Sequence, residues 1–164
     1  MDEKQIAAAV ERVVRGMRPA HACGGSCKAL TLEKAKRLSE DVLAHALGEG
    51  VRAVVAVADR GGNPVCAMSS DGAFIASWDI AVQKAYTSVA MQMPTSELAK
   101  LAAPGAPLYG IEQTNRGKIV IFGGGEPLRA GGKLVGGLGV SGGTAEQDTA
   151  LAAYGRKRFE EMTE

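Results

Sequence analysis

Aromatic side chains are scarce in this sequence, since Phe, Trp and Tyr together make up 4% of its residues. Proteins that bind nucleic acid usually combine a basic surface stripe with aromatic rings that stack on bases. Here 19 Lys and Arg residues are balanced by 18 Asp and Glu residues, and the cations are scattered along the chain. We therefore expect no nucleic-acid partner.

Long apolar runs are also missing. No stretch reaches the roughly 18 consecutive apolar residues of a membrane-spanning helix, so we expect no membrane partner. The first residues, MDEKQIAAAVERVVRGM, place acids first and interrupt their apolar residues with charge, unlike a secretory signal. The three cysteines are an odd number, which fits a reducing compartment. The 164 residues are enough for one domain with a core, and we expect it in the cytoplasm.

Residues 1–17 are typical of a separate amphipathic helix. Their apolar residues recur on one helical face, while charged residues occupy the other, and the apolar set is Ile6, Val10, Val13, Val14 and Met17. A helix this short is marginal alone, so its apolar face needs a partner. Two interpretations stay open: the helix docks on its own domain or a neighbouring subunit, or it inserts into a groove of another protein.

Residues 18–29 are rich in small residues and predict a flexible linker. They contain His21, Cys23 and Cys27 in the spacing H-x-C-x-x-x-C. Two thiolates and an imidazole could bind a metal ion, but the spacing is not the usual C-x-x-C and a fourth ligand is missing. Ordinary linker residues are the simpler interpretation.

Residues 30–164 predict an α+β domain with an antiparallel sheet covered by helices. Thr31 caps a helix that ends near Gly48, and a second helix at about 74–91 turns Ile75, Trp78, Val82, Ala85, Tyr86 and Val89 inward. The predicted strands form two hairpins, the first from 51–59 and 65–70 and the second from 118–123 and 133–140. A short helix at 95–102 and a final helix after Thr144 complete the order.

Glycines crowd the last quarter of the chain and include the pattern G-x-G-x-x-G from Gly137 to Gly142. In a dinucleotide site this pattern needs a second parallel strand after the helix, and no second apolar β run follows here. We expect turns at 123–125 and 131–132. Gly136, Gly137 and Gly139 lie inside a predicted strand, where a packed helix, a second subunit or a flat ligand can approach the backbone closely.

Several blocks of sequence together resemble the GlcG/HbpS-type haem-binding family, which includes the carboxy-terminal domain of propanediol-utilisation corrinoid adenosyltransferases. The blocks are LTLEKAK, VAVADRGGNPVCAMSSDGA, IAVQKAYTS, PGAPLYGIE, FGGGEPLR and GGLGVSGGTAEQD. The resemblance covers about residues 30–162 and implies a profilin-like domain that forms dimers and larger oligomers, often octamers. In some members it implies haem binding. Residues 1–17 are similar to the encapsulation peptides of bacterial microcompartments.

The resemblance also implies candidate site residues. His45 on the first helix matches a histidine suggested as the haem axial ligand in relatives. Its alternative is a partly exposed histidine near the negative end of the helix dipole. Lys84 and Arg129 are the cations best placed for a haem propionate or another carboxylate, with surface solvation as the simpler account. Relatives often carry an arginine where this chain has Ser69.

Other polar residues have simpler structural explanations. Asp59 and Asp71 flank the first hairpin, where an Asp side chain bonds to turn N–H groups, although an acid pair would suit acid–base catalysis. Thr144 and Glu146 fit a helix cap, or N–H groups that could bind a ligand carboxylate.

The sequence thus predicts a haem- or tetrapyrrole-binding accessory protein, carried as cargo into a microcompartment where residues 1–17 contact shell or cargo proteins. The alternatives are an enzyme acting on a small metabolite or assisting corrinoid metabolism, and a ligand-free structural oligomer. The sequence shows no nucleophile–base pair.

Overall fold

A computed structural model of the chain describes residues 30–163. The described part holds four α-helices, four strands and two single-turn 3₁₀ helices. In chain order they are α1 (Leu32–Gly48), β1 (Val54–Asp59), β2 (Pro64–Ser69), α2 (Ile75–Met91), α3 (Thr95–Leu101), the 3₁₀ turns Ile111–Gln113 and Asn115–Gly117, β3 (Gly125–Ala130), β4 (Lys133–Ser141) and α4 (Ala145–Glu161). The predicted helix at 1–17 and the linker at 18–29, with its histidine and two cysteines, lie outside the described residues.

The four strands form one sheet in the order β2-β1-β4-β3, and every neighbouring pair is antiparallel. The predicted α+β class is therefore confirmed. A βαβ nucleotide fold is excluded, because it needs parallel strands at the glycine-rich turn.

The second hairpin differs from its prediction. Residues 118–123 form no strand, and β3 instead pairs with β4 through a turn at Gly131 and Gly132. Ile119 and Val120 of this segment are buried by another route. The Val120 N–H donates to the Thr87 hydroxyl oxygen (3.0 Å), and that hydroxyl donates to the Lys118 carbonyl (3.2 Å). A side chain of α2 thus replaces the strand partner that the prediction assumed.

Helices cover both faces of the sheet. On one face α1 and α4 pack over large side chains of alternating strand positions, among them Val55, Val57, Leu128, Leu138 and Val140. On the other face α2 packs over smaller ones, Val54, Ala56 and Ala58. This alternation follows from strand geometry, in which successive side chains point to opposite faces.

The predicted helix caps are present. The Thr31 hydroxyl accepts from the Lys34 N–H, and Thr144 forms a capping box with Gln147 at the start of α4. Leu32 and Leu47, apolar residues at the two ends of α1, are exposed.

The predicted inward face of α2 is wrong at its first turns. Ile75 is 97% exposed and Trp78 is 45% exposed, while the buried face carries the small residues Ser77, Ala81, Ala85 and Ser88. The cause is the glycine-rich strand β4, where a Cβ at Gly137 would lie 2.5 Å from the Ala85 carbonyl oxygen. A backbone this close leaves room only for small side chains, so the large apolar ones turn outward. Of the three partners predicted for these glycines, a packed helix lies against Gly137 and Gly139. Gly136 instead lies against the Ala58 carbonyl of β1 and the side chain of Leu30.

Candidate functional site

The imidazole of His45 lies on the outside of the α1–α4 layer, in the last turn of α1. Its ring stacks on that of Tyr154 from α4, with ring centroids 4.0 Å apart and planes inclined by 16°. Its Nε2 lies 3.4 Å from a carboxylate oxygen of Glu49, and the His45 side chain is 41% exposed. Stacking fixes the plane of the ring while its edge stays open to solvent.

This arrangement fits an axial ligand of haem iron. Imidazole is a common ligand of haem iron, and a ligating histidine is usually oriented by a neighbouring group. The contact with Glu49 is exposed and longer than a normal hydrogen bond, so breaking it costs little free energy. Nε2 is therefore available to a metal ion. The exposed helix-end position is also the one that the simpler interpretation predicts, so the geometry agrees with both.

Lys84 is not the solvated surface lysine that was the simpler expectation. Its side chain is fully buried, and its Nζ donates to Asp148 Oδ2 (2.7 Å) and to the Val140 carbonyl (2.8 Å). The ring of Phe122 lies 4.9 Å from the same nitrogen. Burial lowers the pKa of Lys84 from its ordinary value, and the hydrogen bond and charge of Asp148 oppose that shift. Lys84 thus binds a carboxylate of its own chain.

Asp148 is the partner of Lys84, and sequence reasoning missed it. It lies in the first turn of α4, where the sequence indicated only helix capping, and its Oδ1 accepts from the Gly143 N–H (2.9 Å). A buried lysine needs a carboxylate partner. That signal could have led to Asp148 only if Lys84 had been recognised as buried.

Gly124 keeps the backbone close to this ion pair. Its φ is +110°, and a Cβ there would lie 2.7 Å from Lys84 Nζ and 2.8 Å from Asp148 Cβ. Both the conformation and the space require glycine at this position.

Arg129 is exposed on β3. Its guanidinium donates to the carbonyl of Gln92 (3.2 Å), the residue that caps the C-terminus of α2. A cation here compensates the negative end of that helix, and its exposure leaves it accessible to a ligand carboxylate.

The structure does not bring the three predicted site residues together within one protomer. His45 belongs to the layer of α1 and α4, whereas Lys84 lies on α2 across the sheet. Arg129 contacts the far end of α2. A single ligand therefore cannot use all three side chains of one protomer in this arrangement.

Of the two acids that flank the first hairpin, Asp59 accepts hydrogen bonds from the turn backbone, as the simpler explanation predicted. One carboxylate oxygen accepts from the N–H groups of Gly61 (2.8 Å) and Asn63 (3.0 Å). These backbone bonds lower the pKa of Asp59, chiefly the one from Asn63. Asp59 therefore stabilises the turn as a carboxylate.

Cys66 is partly buried and packs against the cluster under α1 and α4. Within residues 30–163, no group of three or more His, Cys, Asp or Glu side chains is arranged to hold a metal ion. None of the helices in that same range is long and apolar enough to cross a bilayer.

A family model described as "Haem degrading protein HbpS-like" matches residues 30–157. The chain belongs to the HbpS-like family. The predicted family resemblance is therefore confirmed over the domain that carries His45 and Lys84.

Three similar proteins agree with that assignment. The chain is 44% identical over 133 residues to an uncharacterised 15.0 kDa protein of the dhaT-dhaS intergenic region in Citrobacter freundii, covering 81% of this chain and 94% of that protein. It is 37% identical over 142 residues to the corrinoid adenosyltransferase PduO of Salmonella typhimurium, covering 87% of this chain but only 42% of PduO. The solved PduOC:heme complex superposes with a TM-score of 0.75 at 38% identity, covering 79% of this chain and 94% of that one.

Proposed function

We propose that this chain is a haem-binding accessory protein in which His45 is the axial ligand of the iron. The observation that carries the proposal is the imidazole of His45, held by Tyr154 and open at its edge. The HbpS-like family description and the heme complex of the PduO domain support it, since the similarity to that complex extends over most of the domain.

Each residue of this surface has a distinct task in the proposal. Tyr154 orients the imidazole, and Glu49 lies beside the outer nitrogen, which would hold the iron. Bound haem would supply an iron centre for electron transfer or small-ligand binding. Arg129 stays a predicted propionate partner, contributed by another protomer because it lies far from His45. Lys84 is left out because Asp148 already occupies it.

Titration with haemin tests the proposal. We expect the Soret band of haemin to sharpen and shift when protein is added, together with quenching of Trp78, the one tryptophan of the chain. The band should shift and the affinity fall at least tenfold in His45→Ala, because the iron loses its protein ligand.

The matched control is His21→Ala, which removes the other histidine of the chain. If the spectrum of bound haemin is unchanged in His45→Ala but lost in His21→Ala, His45 is not the ligand. A Soret band identical to that of free haemin in the wild type and in every variant would refute haem binding. Binding of hydroxocobalamin in place of haemin would favour the corrinoid alternative, which the similarity to PduO supports.

The proposal includes self-association. Ile75 and Trp78 form an exposed apolar patch at the start of α2, and such a patch favours contact with a second copy of the chain. Light scattering after gel filtration should report a dimer or larger oligomer, up to an octamer. Ile75→Glu should shift it to a smaller species, whereas the exposed Lys100→Glu should not. Identical masses for wild type and Ile75→Glu would exclude this patch as the interface.

The proposal also assigns residues 1–17 as an encapsulation peptide that contacts shell or cargo proteins of a microcompartment. Its support is the apolar face at helical spacing and the PduO relative. Residues 1–17 fused to a fluorescent protein should form compartment-associated foci. Val10→Asp, which places a charge on the apolar face, should disperse them. Equal localisation of the full chain and of a chain lacking 1–17 would contradict the assignment.

A further inference from the structure

Two adjoining clefts open at the end of the sheet where α2 and α4 begin. The first, of about 270 Å³, is lined among others by Phe74, Ser77, Phe122, Ser141 and Asp148. The second, of about 360 Å³, contains Arg52 and shares with the first the side chain of Phe74 and the glycines 142 and 143. We call the two together the helix-end cleft. It does not include His45, and the second part lies within the roughly 300–1,000 Å³ of small-molecule sites.

Two serines with nearly buried side chains line the first cleft, Ser77 at 4% and Ser141 at 5% exposure. No hydrogen bond joins either hydroxyl to another group within residues 30–163. Neither oxygen is among the fully enclosed polar atoms that lack a partner in that range, so both hydroxyls open onto the cleft. Two such donors in one cleft favour a ligand that accepts hydrogen bonds.

The backbone adds further donors at the same place. α2 has 17 residues, and its N-cap residue is Phe74, whose side chain cannot accept a hydrogen bond. The first amide groups of α2, at Ile75 and Ala76, therefore have no side-chain cap, and Ala76 lines the cleft. The positive end of a helix dipole with free N–H groups favours an anion.

The charges around the cleft also favour an anion. The Asp148 carboxylate is neutralised by Lys84 and also accepts from the Gly143 N–H, so it adds little net negative charge. Arg52 forms no ion pair within the described residues, and its guanidinium lies against Gly72 at the rim. Hydroxyl donors, helix amides and one free cation together select an anion. The rings of Phe74 and Phe122 select a short apolar body attached to it.

We propose that the helix-end cleft binds a small organic acid, with its carboxylate at Ser77, Ser141 and the first amides of α2. The carbon skeleton of a few atoms packs between Phe74 and Phe122, and Arg52 attracts the anion at the rim. This site is separate from the haem surface at His45 and does not depend on haem binding.

Calorimetric titration of the full chain tests the site with propionate and lactate, at constant sodium chloride. Propionamide and lactamide are the neutral controls, because they keep shape and lose charge. We expect saturable binding of at least one acid and at least tenfold weaker binding of its amide. Ser77→Ala should weaken binding about tenfold, the typical effect of losing a hydrogen bond to a charged group. Arg52→Gln should weaken it severalfold.

Ser69→Ala is the matched control, because Ser69 is an exposed serine on β2 outside the cleft. Its affinity should equal that of the wild type, and circular dichroism should show that Ser77→Ala is folded. Should Ser77→Ala fail to fold, Arg52→Gln decides the question alone. Equal affinity for acid and amide, no binding of either acid, or binding of inorganic phosphate alone would each overturn the proposal.

Discussion

The buried pair of Lys84 and Asp148 should couple α2 to α4 strongly. Lys84→Met removes the ammonium group and leaves Asp148 buried, with the Gly143 N–H as its remaining hydrogen-bond donor. Removing one partner of a buried ion pair costs about 3–5 kcal/mol. A domain of this size has a free energy of unfolding of about 5–15 kcal/mol, so the loss is a large fraction of the total.

Urea denaturation followed by far-ultraviolet circular dichroism measures this loss. With a urea dependence of about 2 kcal/mol per M, the midpoint of Lys84→Met should fall by about 2 M. The double variant Lys84→Met/Asp148→Asn removes both charges and keeps an oxygen that can accept from Gly143. It should be more stable than the sum of the single changes predicts, by about 2 kcal/mol or more.

The pH dependence separates the two single variants. The pKa of Lys84 lies below its ordinary value of 10.5 because burial disfavours the charged form. Between the folded pKa and 10.5 the unfolded chain holds a proton that the folded chain releases, so stability rises with pH across that window. Asp148→Asn removes the negative charge beside Lys84, so the folded pKa of Lys84 should fall further and the pH range in which stability rises should become wider.

The deficit of Asp148→Asn should therefore shrink as the pH rises from neutral toward 10.5, whereas Lys84→Met should show no such alkaline gain. Simple additivity in the double variant, together with a loss below about 1 kcal/mol in Lys84→Met, would refute the buried pair as an energetic link.

Two further predictions concern β3 and β4. Gly139→Ala should cost about 3 kcal/mol, because its methyl group would overlap the Ala81 carbonyl, whereas Gly48→Ala has open space and should be near neutral in the same urea assay. Burial raises the pKa of Glu126 above 4.5, although the nearby Arg156 opposes that shift. The free energy of unfolding of the wild type should therefore fall as the pH rises from 4.5 through the folded pKa, and Glu126→Gln should remove that fall. Equal pH profiles for the two proteins would contradict the raised pKa of Glu126.

Local signals in the sequence were enough to predict much of the fold. Thr31 and Thr144 cap their helices as expected, because capping depends on residues three positions apart. The first hairpin was predicted because Asp59 and two glycines specify its turn within five residues. The glycines inside β4 correctly indicated close backbone approach.

The parts that were not predictable depend on contacts distant in sequence. Residues 118–123 have the composition of a strand, but the hydroxyl of Thr87, more than thirty residues earlier, provides the hydrogen bonds. The partner of Lys84 is 64 positions away. The hydroxyls of Ser77 and Ser141 meet in one cleft only because α2 and β4 pack together. The spacing of residues along the chain does not show which distant residues come into contact.

The first turn of α2 shows how a glycine strand overrides helix amphipathicity. A helix normally turns its largest apolar residues to the sheet, so a core position at Ile75 would make Ile75→Glu cost several kcal/mol. In the structure Ile75 is 97% exposed, because glycines of β4 draw the small face of α2 onto the strand. Ile75→Glu should then leave the free energy of unfolding of the monomer within about 0.5 kcal/mol of wild type. Urea denaturation at low protein concentration measures it, and a loss of several kcal/mol would place Ile75 in the core after all. An unchanged monomer that associates less would show that this isoleucine serves contacts outside its own chain.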